Sequence, residues 1–326
     1  MKQYFKDFFL LLVCFPYRWL VQALPFQISC SIATLFGNIQ YKVLSSHQKH
    51  RFFSYLDLVF GNKLDTREKK TILRDFYVEK QKKIVDLFIL GRKDYKNYLQ
   101  ICSIEGLDYV DQVLSQGKGM IGLNFHFGFA HLIPPFALYK GYKKIVGFLV
   151  LQSPIEGVNP WLSQQVLNIK HSIWKERGNF QIFSSLKSLT YMVVAQYQHL
   201  RQNYIVSAAG DGALGERFIL VDFFNVKLKV PLGPALLSAK TGAALVPNFV
   251  IRRKDNAHHI IFEEPIQVAN EEEETLKMAV QRYIQRLEHY VSRYPAHWGY
   301  WNRMEIEGFE GGIPLIRLVT RKPFET

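Results

Sequence analysis

Residues 118–131 read Lys-Gly-Met-Ile-Gly-Leu-Asn-Phe-His-Phe-Gly-Phe-Ala-His, and the fold of the chain turns on this stretch. A glycine turn at Lys118-Gly119 leads into a short apolar run, Met120 to Phe125, with the length and boundaries of a buried strand. The run delivers His126. Beyond it, Leu132 to Tyr139 takes a helical pattern once Pro134 and Pro135 are set in the first turn, where a missing N–H costs nothing. A histidine at the handover from strand to helix lies at the carboxyl edge of a sheet, where open α/β sheets gather ligands. A lone histidine there serves equally well as a hydrogen-bonded rim residue. The rest of the chain has to decide.

From about Ile101 onward, short apolar runs alternate with helical patterns. Met120–Phe125, Ile145–Leu151, Tyr204–Ala208 and Ala244–Ile251 read as buried strands. Asp108–Ser115, Asn159–Arg177, Ser185–Arg201 and Pro234–Thr241 read as the helices between them. The alternation predicts βαβ units in an α/β core over 101–305, built on a mixed sheet flanked by helices. Arg217–Val230 and His258–Glu263 are expected as antiparallel additions. A last helix, Glu271–Arg293, opens with four glutamates at the positive end of its dipole and stops before Pro295. The aromatic cluster Trp298-Gly299-Tyr300-Trp301 follows, and 306–326 reads as an irregular tail.

The 326 residues carry a net charge of +13, with 17 Lys and Arg against 8 Asp and Glu in the first hundred residues, a surplus of 9. Such an excess suits nucleic acid, an anionic membrane surface or an acidic substrate. No zinc-ligand spacing, RNA-binding aromatic signature or basic heptad repeat is present, so nucleic acid is not expected. Interleaved with the charge are large apolar residues. Phe8–Pro16 is an apolar run about half as long as a spanning helix needs, interrupted at Pro16 and Arg18. It fits an interfacial anchor, with Tyr17 and Trp19 at headgroup level and Lys2, Lys6 and Arg18 facing anionic lipid; a plain buried helix is the alternative. Leu24–Leu44, dotted with small residues, reads as a packed helix. Asp65 and Glu68 form a capping box for a helix with lysines on one side. Residues 1–100 are therefore read as a basic, helical, membrane-associating region. Cys14, Cys30 and Cys102 have no paired spacing and suit buried thiols in a reducing compartment.

In this order the residues resemble the bacterial lipid A biosynthesis acyltransferases (the lauroyl and myristoyl transferases) and the mycobacterial phosphatidylinositol mannoside acyltransferases of the same superfamily. The likeness runs from about Leu24 to Arg303. It rests on Leu24-Pro25, Leu58-Val59-Phe60, His126-Phe127-Gly128, Gly210-Asp211-Gly212, Val221-Asp222-Phe223-Phe224-Asn225, Pro231-Leu232-Gly233-Pro234-Ala235, Thr241–Pro247 and Tyr294–Trp298. The resemblance implies a glycerol-3-phosphate acyltransferase-like fold at the cytoplasmic face of the inner membrane, peripheral or monotopic. It implies transfer of a fatty acyl group from acyl carrier protein or a CoA thioester to a hydroxyl or amine of a lipid, with no cofactor. The partners would be that thioester and anionic membrane lipid.

Acyl transfer needs a base at the acceptor, donors for the oxyanion and aligned substrates. The resemblance makes His126 the base and places an acidic residue five positions on, where this chain has His131. Three arrangements fit. His131 orients His126; or a carboxylate from elsewhere, Asp211 first, takes its place; or the chain keeps fold and binding surface without turnover, as a partner for lipid or acyl carrier. Asp211 serves equally as an Asx-turn residue before Gly212. Gly128 offers a bare backbone for a close carbonyl. Arg177 and Arg217 offer bidentate donors for phosphate, or surface salt bridges. Zinc at His126 and His131 is not expected, because residues five apart share no helix face and no acidic or cysteine partner stands close by.

Overall fold

Hydrogen bonding collects the apolar runs into two sheets in the computed structural model, which describes residues 2–150, 158–183 and 189–319. The strand end read at Leu151, the helix start read at Ser185 and the last residues of the tail lie outside it. Six helices precede the first strand: α1 (Lys2–Leu12), α2 (Arg18–Ala23), α3 (Phe26–Lys42), α4 (Ser46–Phe60), α5 (Thr66–Leu90) and α6 (Tyr95–Gln100). Pro16 does not end the first of these. It sits in a π turn, Val13–Tyr17, that carries the chain on into α2. No helix among the described residues is long and apolar enough to cross a membrane. Capping boxes open α4 (Ser45 with Gln48) and α5 (Asp65 with Glu68), each satisfying two N–H groups that the first turn leaves orphaned.

The strands are β1 (Ser103–Glu105), β2 (Met120–Asn124), β3 (Ile145–Val150), β4 (Phe180–Phe183), β5 (Ile205–Ala209), β6 (Phe218–Phe223), β7 (Val226–Pro231), β8 (Ala244–Arg252), β9 (His258–Phe262), β10 (Met304–Glu310) and β11 (Ile313–Leu318). The main sheet has the order β1-β9-β8-β2-β5-β3-β4. Strands β8, β2, β5, β3 and β4 run parallel, and β9 pairs antiparallel with β8. The sheet is mixed and flanked by helices, as expected.

Two expectations need correction. The Arg217–Val230 segment is an antiparallel hairpin, but it joins a second sheet of order β10-β11-β7-β6 instead of extending the first. Residues 306–319 are no irregular tail: β10 and β11 form a hairpin, and β11 pairs in parallel with β7.

The remaining helices are α7 (Leu107–Ser115), α8 (Ile133–Tyr139), α9 (Pro160–Gly178), α10 (Leu189–Arg201), α11 (Gly233–Thr241) and α12 (Glu273–Arg293). Side-chain alternation along β2 divides the core. Ile121, Leu123 and Phe125 pack into one cluster with α12 and the second sheet, while Met120 joins the other with α5, α8 and α9.

Candidate active site

Parallel pairing of β2 with β5 sets Asn124 opposite Ala209, so residues two places beyond each strand arrive side by side. These are His126 and Asp211. The Nδ1 atom of His126 lies 2.8 Å from Oδ1 of Asp211. The backbone N–H of His126 donates to both carboxylate oxygens, at 3.0 and 3.1 Å. Trp298 Nε1 donates to Oδ2 at 3.0 Å. Asp211 is fully buried, whereas the His126 side chain is 41% exposed. A carboxylate so enclosed needs partners for its buried oxygens, and each one here has a donor. Its contact with Nδ1 places the imidazole proton there and leaves the Nε2 lone pair free to accept.

The loop after α12 completes the arrangement. Gly299 N–H donates to the His126 carbonyl at 2.7 Å, and Phe127 bridges to Trp298. The Tyr300 ring meets the His126 ring edge to face, with centroids 4.6 Å apart. Its hydroxyl stands 3.5 Å from Nε2, at the outer reach of a hydrogen bond. Burial, helped by the charge on Asp211, raises the Tyr300 pKa and keeps the phenol protonated. Behind the loop, His297 Nε2 accepts from Arg252 N–H at 3.2 Å, and its carbonyl accepts from Gly128 N–H and Lys83 Nζ. Burial, above all, lowers the His297 pKa to about 4 and that of Lys83 to about 8.

The other expected residues fall elsewhere. The ring of His131 lies flat on Trp174, 4.6 Å between centroids and 1° from parallel, with Phe129 and Phe180 around it. Burial first, then the charges of His126, Lys170 and Lys83, lower its pKa to about 3. Among the described residues no hydrogen bond joins it to His126; the Nδ1 contact is Asp211's. Gly128 has φ +57 and does permit a close carbonyl, but the carbonyl is the protein's own, from Val250, which a Cβ would strike. Arg177 places its guanidinium over the Tyr95 ring, at 4.5 Å. Arg217 is exposed at the start of β6, where its carbonyl accepts from Leu232 N–H. Neither arginine contacts His126 or Asp211. Trp298 and Tyr300, by contrast, were legible as members of an aromatic cluster, and Trp298 also as the end of the Tyr294–Trp298 piece of the resemblance, with no local pattern tying them to a histidine more than 170 residues away.

A family model described as bacterial lipid A biosynthesis acyltransferase matches residues 2–303. The chain is also similar to phosphatidylinositol mannoside acyltransferase from two strains of Mycobacterium tuberculosis, at 27% identity over 165 residues. That stretch is 44% of this chain and 42% of the relatives, so the chain spans less than half the length of the relatives it matches.

Proposed function

The chain belongs to the bacterial lipid A biosynthesis acyltransferase family, and from that membership and the paired His126 and Asp211 we propose a membrane-associated acyltransferase. It moves a fatty acyl group from a thioester of acyl carrier protein or CoA to a hydroxyl or amine of a lipid. The name of the mycobacterial relatives points to a glycolipid acceptor. The reading places the enzyme peripherally at the cytoplasmic face of the inner membrane.

One observation carries the reading: the buried carboxylate 2.8 Å from Nδ1 of a half-exposed histidine. Nε2 of His126 takes the proton from the acceptor, whose oxygen or nitrogen attacks the thioester carbonyl. The tetrahedral intermediate collapses with loss of the thiolate, and the imidazolium returns its proton to sulfur. Asp211 holds the Nδ1 proton throughout and offsets the charge that forms on the ring. It supplies the negative charge that His131 lacks, from a loop 85 residues away instead of one turn on. Tyr300 lies where the acceptor must arrive, so its hydroxyl yields Nε2 to the substrate.

The test is acyl transfer from acyl-CoA and acyl carrier protein thioesters into a bacterial lipid extract, with products identified by mass spectrometry. His126→Ala is expected to abolish transfer. Asp211→Asn is expected to lower kcat by about 10³–10⁴, the scale seen when a triad loses only its charge. Folded variants that match the wild type would sink the assignment.

A further inference from the structure

Helix α3 carries its small residues inward and its large ones outward. Ser29, Ala33 and Gly37 face α5, whereas Ile28, Leu35, Phe36, Ile39 and Val43 are exposed, Leu35 at 58% and Val43 at 73%. A surface helix in water shows the reverse pattern. The apolar face continues onto α2, where Trp19 and Leu20 are exposed; the buried Tyr17 just before α2 meets the Phe36 ring and ties the two helices together. An apolar face of this extent calls for an occupant.

The carboxyl end of α3 supplies the evidence for what that occupant is. There Tyr41, with Thr66, Arg67, Lys70, Thr71 and Arg74 of α5, lines an open groove of about 430 Å³. No carboxylate lines it. Three of the acidic residues nearby are engaged elsewhere, Asp65 and Glu68 in the capping box and Asp57 with Lys69, while Asp75 pairs with the groove's own Arg74 at 2.8 Å. Among the described residues, Arg67 and Lys70 meet no carboxylate within ion-pair distance. Lys49 stacks over the Tyr41 ring at 5.3 Å and adds to the positive field. Val43, the most exposed residue of the apolar face, follows Tyr41 by two positions.

We propose that this groove seats the phosphate headgroup of an anionic phospholipid while the outer face of α3 and α2 enters the acyl layer, so that α3 docks the protein on charged bilayers. Apolar area alone would not distinguish one bilayer charge from another, and a cationic groove alone would bind any polyanion; each by itself is weak. Side by side, they fit a surface that is greasy below and negative above. The inference deepens the membrane reading above by naming the element and the lipid charge it selects, and it stands independently of turnover.

Flotation of the full chain with vesicles tests it. Wild type is expected to float with phosphatidylcholine containing about 30 mol% phosphatidylglycerol and to stay largely behind with phosphatidylcholine alone, and binding should weaken as salt rises. Arg67→Glu/Lys70→Glu should weaken partitioning roughly tenfold or more, and Leu35→Ser/Ile39→Ser should also release the protein, with far-UV spectra unchanged in both. His126→Ala should float like the wild type, which separates failure of docking from failure of catalysis. The proposal is overturned if the charge-reversed variant floats normally, or if wild type binds neutral vesicles as well as charged ones. It is also overturned if light scattering shows a dimer that covers this face, or if Arg67 and Lys70 bind an acidic carrier protein and not vesicles.

Discussion

At the scale of single residues, the question is which neighbour controls His126. Three donors make four contacts with Asp211, from the His126 ring, the His126 backbone N–H (to both oxygens) and Trp298, so the carboxylate cannot drift from Nδ1. His131, stacked on Trp174 and held neutral by burial, contributes packing. His131→Phe is therefore expected to leave kcat within a few-fold of wild type, in contrast to Asp211→Asn. A fall of 10³ or more in the phenylalanine variant would return the orienting role to position 131. Tyr300 makes a subtler contribution. Its hydroxyl reaches Nε2 at 3.5 Å, and Tyr300→Phe removes that contact while keeping the packing against the His126 ring. The groups around that ring are Asp211 on Nδ1, Trp298 on the far carboxylate oxygen, and the neutral His131 beyond; the Arg303 guanidinium lies over the Tyr300 ring. A weak neutral hydrogen bond is worth about 0.5–1.5 kcal/mol, so kcat/KM should change by no more than about tenfold. An unchanged kcat/KM would show that the 3.5 Å contact carries nothing.

Among the elements, α3 and α5 show how closely two helices come when small residues line the seam. A Cβ on Gly37 would stand 2.5 Å from the Cα of Val78, with only backbone there to yield. Gly37→Ala must push the helices apart, and a loss of about 1–3 kcal/mol is expected. Urea denaturation measures it; an unchanged midpoint would mean that the seam is looser than it looks. Elements whose signals are local were legible in advance: the Asp65 capping box, the buried parallel strands around His126, the Pro295 stop. What escaped depends on pairing. In the second sheet, β10 shifts register between Ile306 and Gly308, and this bulge breaks the period-2 alternation by which a strand is recognised. The partner of His126 depends likewise on the β2–β5 register, which no short-range pattern specifies. Asp211 was therefore visible as the first alternative to His131 for orienting the ring, with His131 and an Asx-turn role still open beside it.

Across the whole molecule, one buried charge network joins the helical amino-terminal layer to the sheet and the site. Arg252 of β8 pairs with Asp86 at 2.5 Å and Glu79 at 2.9 Å, both on α5. His258 of β9 lies 3.3 Å from Asp86, Tyr98 of α6 donates to the same carboxylate, and Arg252 N–H reaches His297 beside the loop that holds His126. Desolvation of such a cluster is costly, and it persists because every charge finds a partner. Its weakness is acid. His131, His258 and His297 all have pKa values pushed down from 6.5, each chiefly by burial. The unfolded chain therefore binds more protons than the native state once the pH falls below about 6.5, and stability declines from there toward about 4. Glu79, held at about 2 by Arg252 despite its burial, adds a loss in the same direction only below its ordinary value of 4.5. Between pH 6.5 and 4.5 the histidines dominate. Protonating His297 removes the acceptor of Arg252 N–H and sets a cation between Arg252 and Lys83, so unfolding should begin at the loop that holds His126. Urea midpoints are expected to fall between pH 7 and pH 5, and the His131→Phe/His297→Gln double variant should flatten that slope. An equally steep slope in the double variant would place the acid-sensitive group elsewhere in the fold.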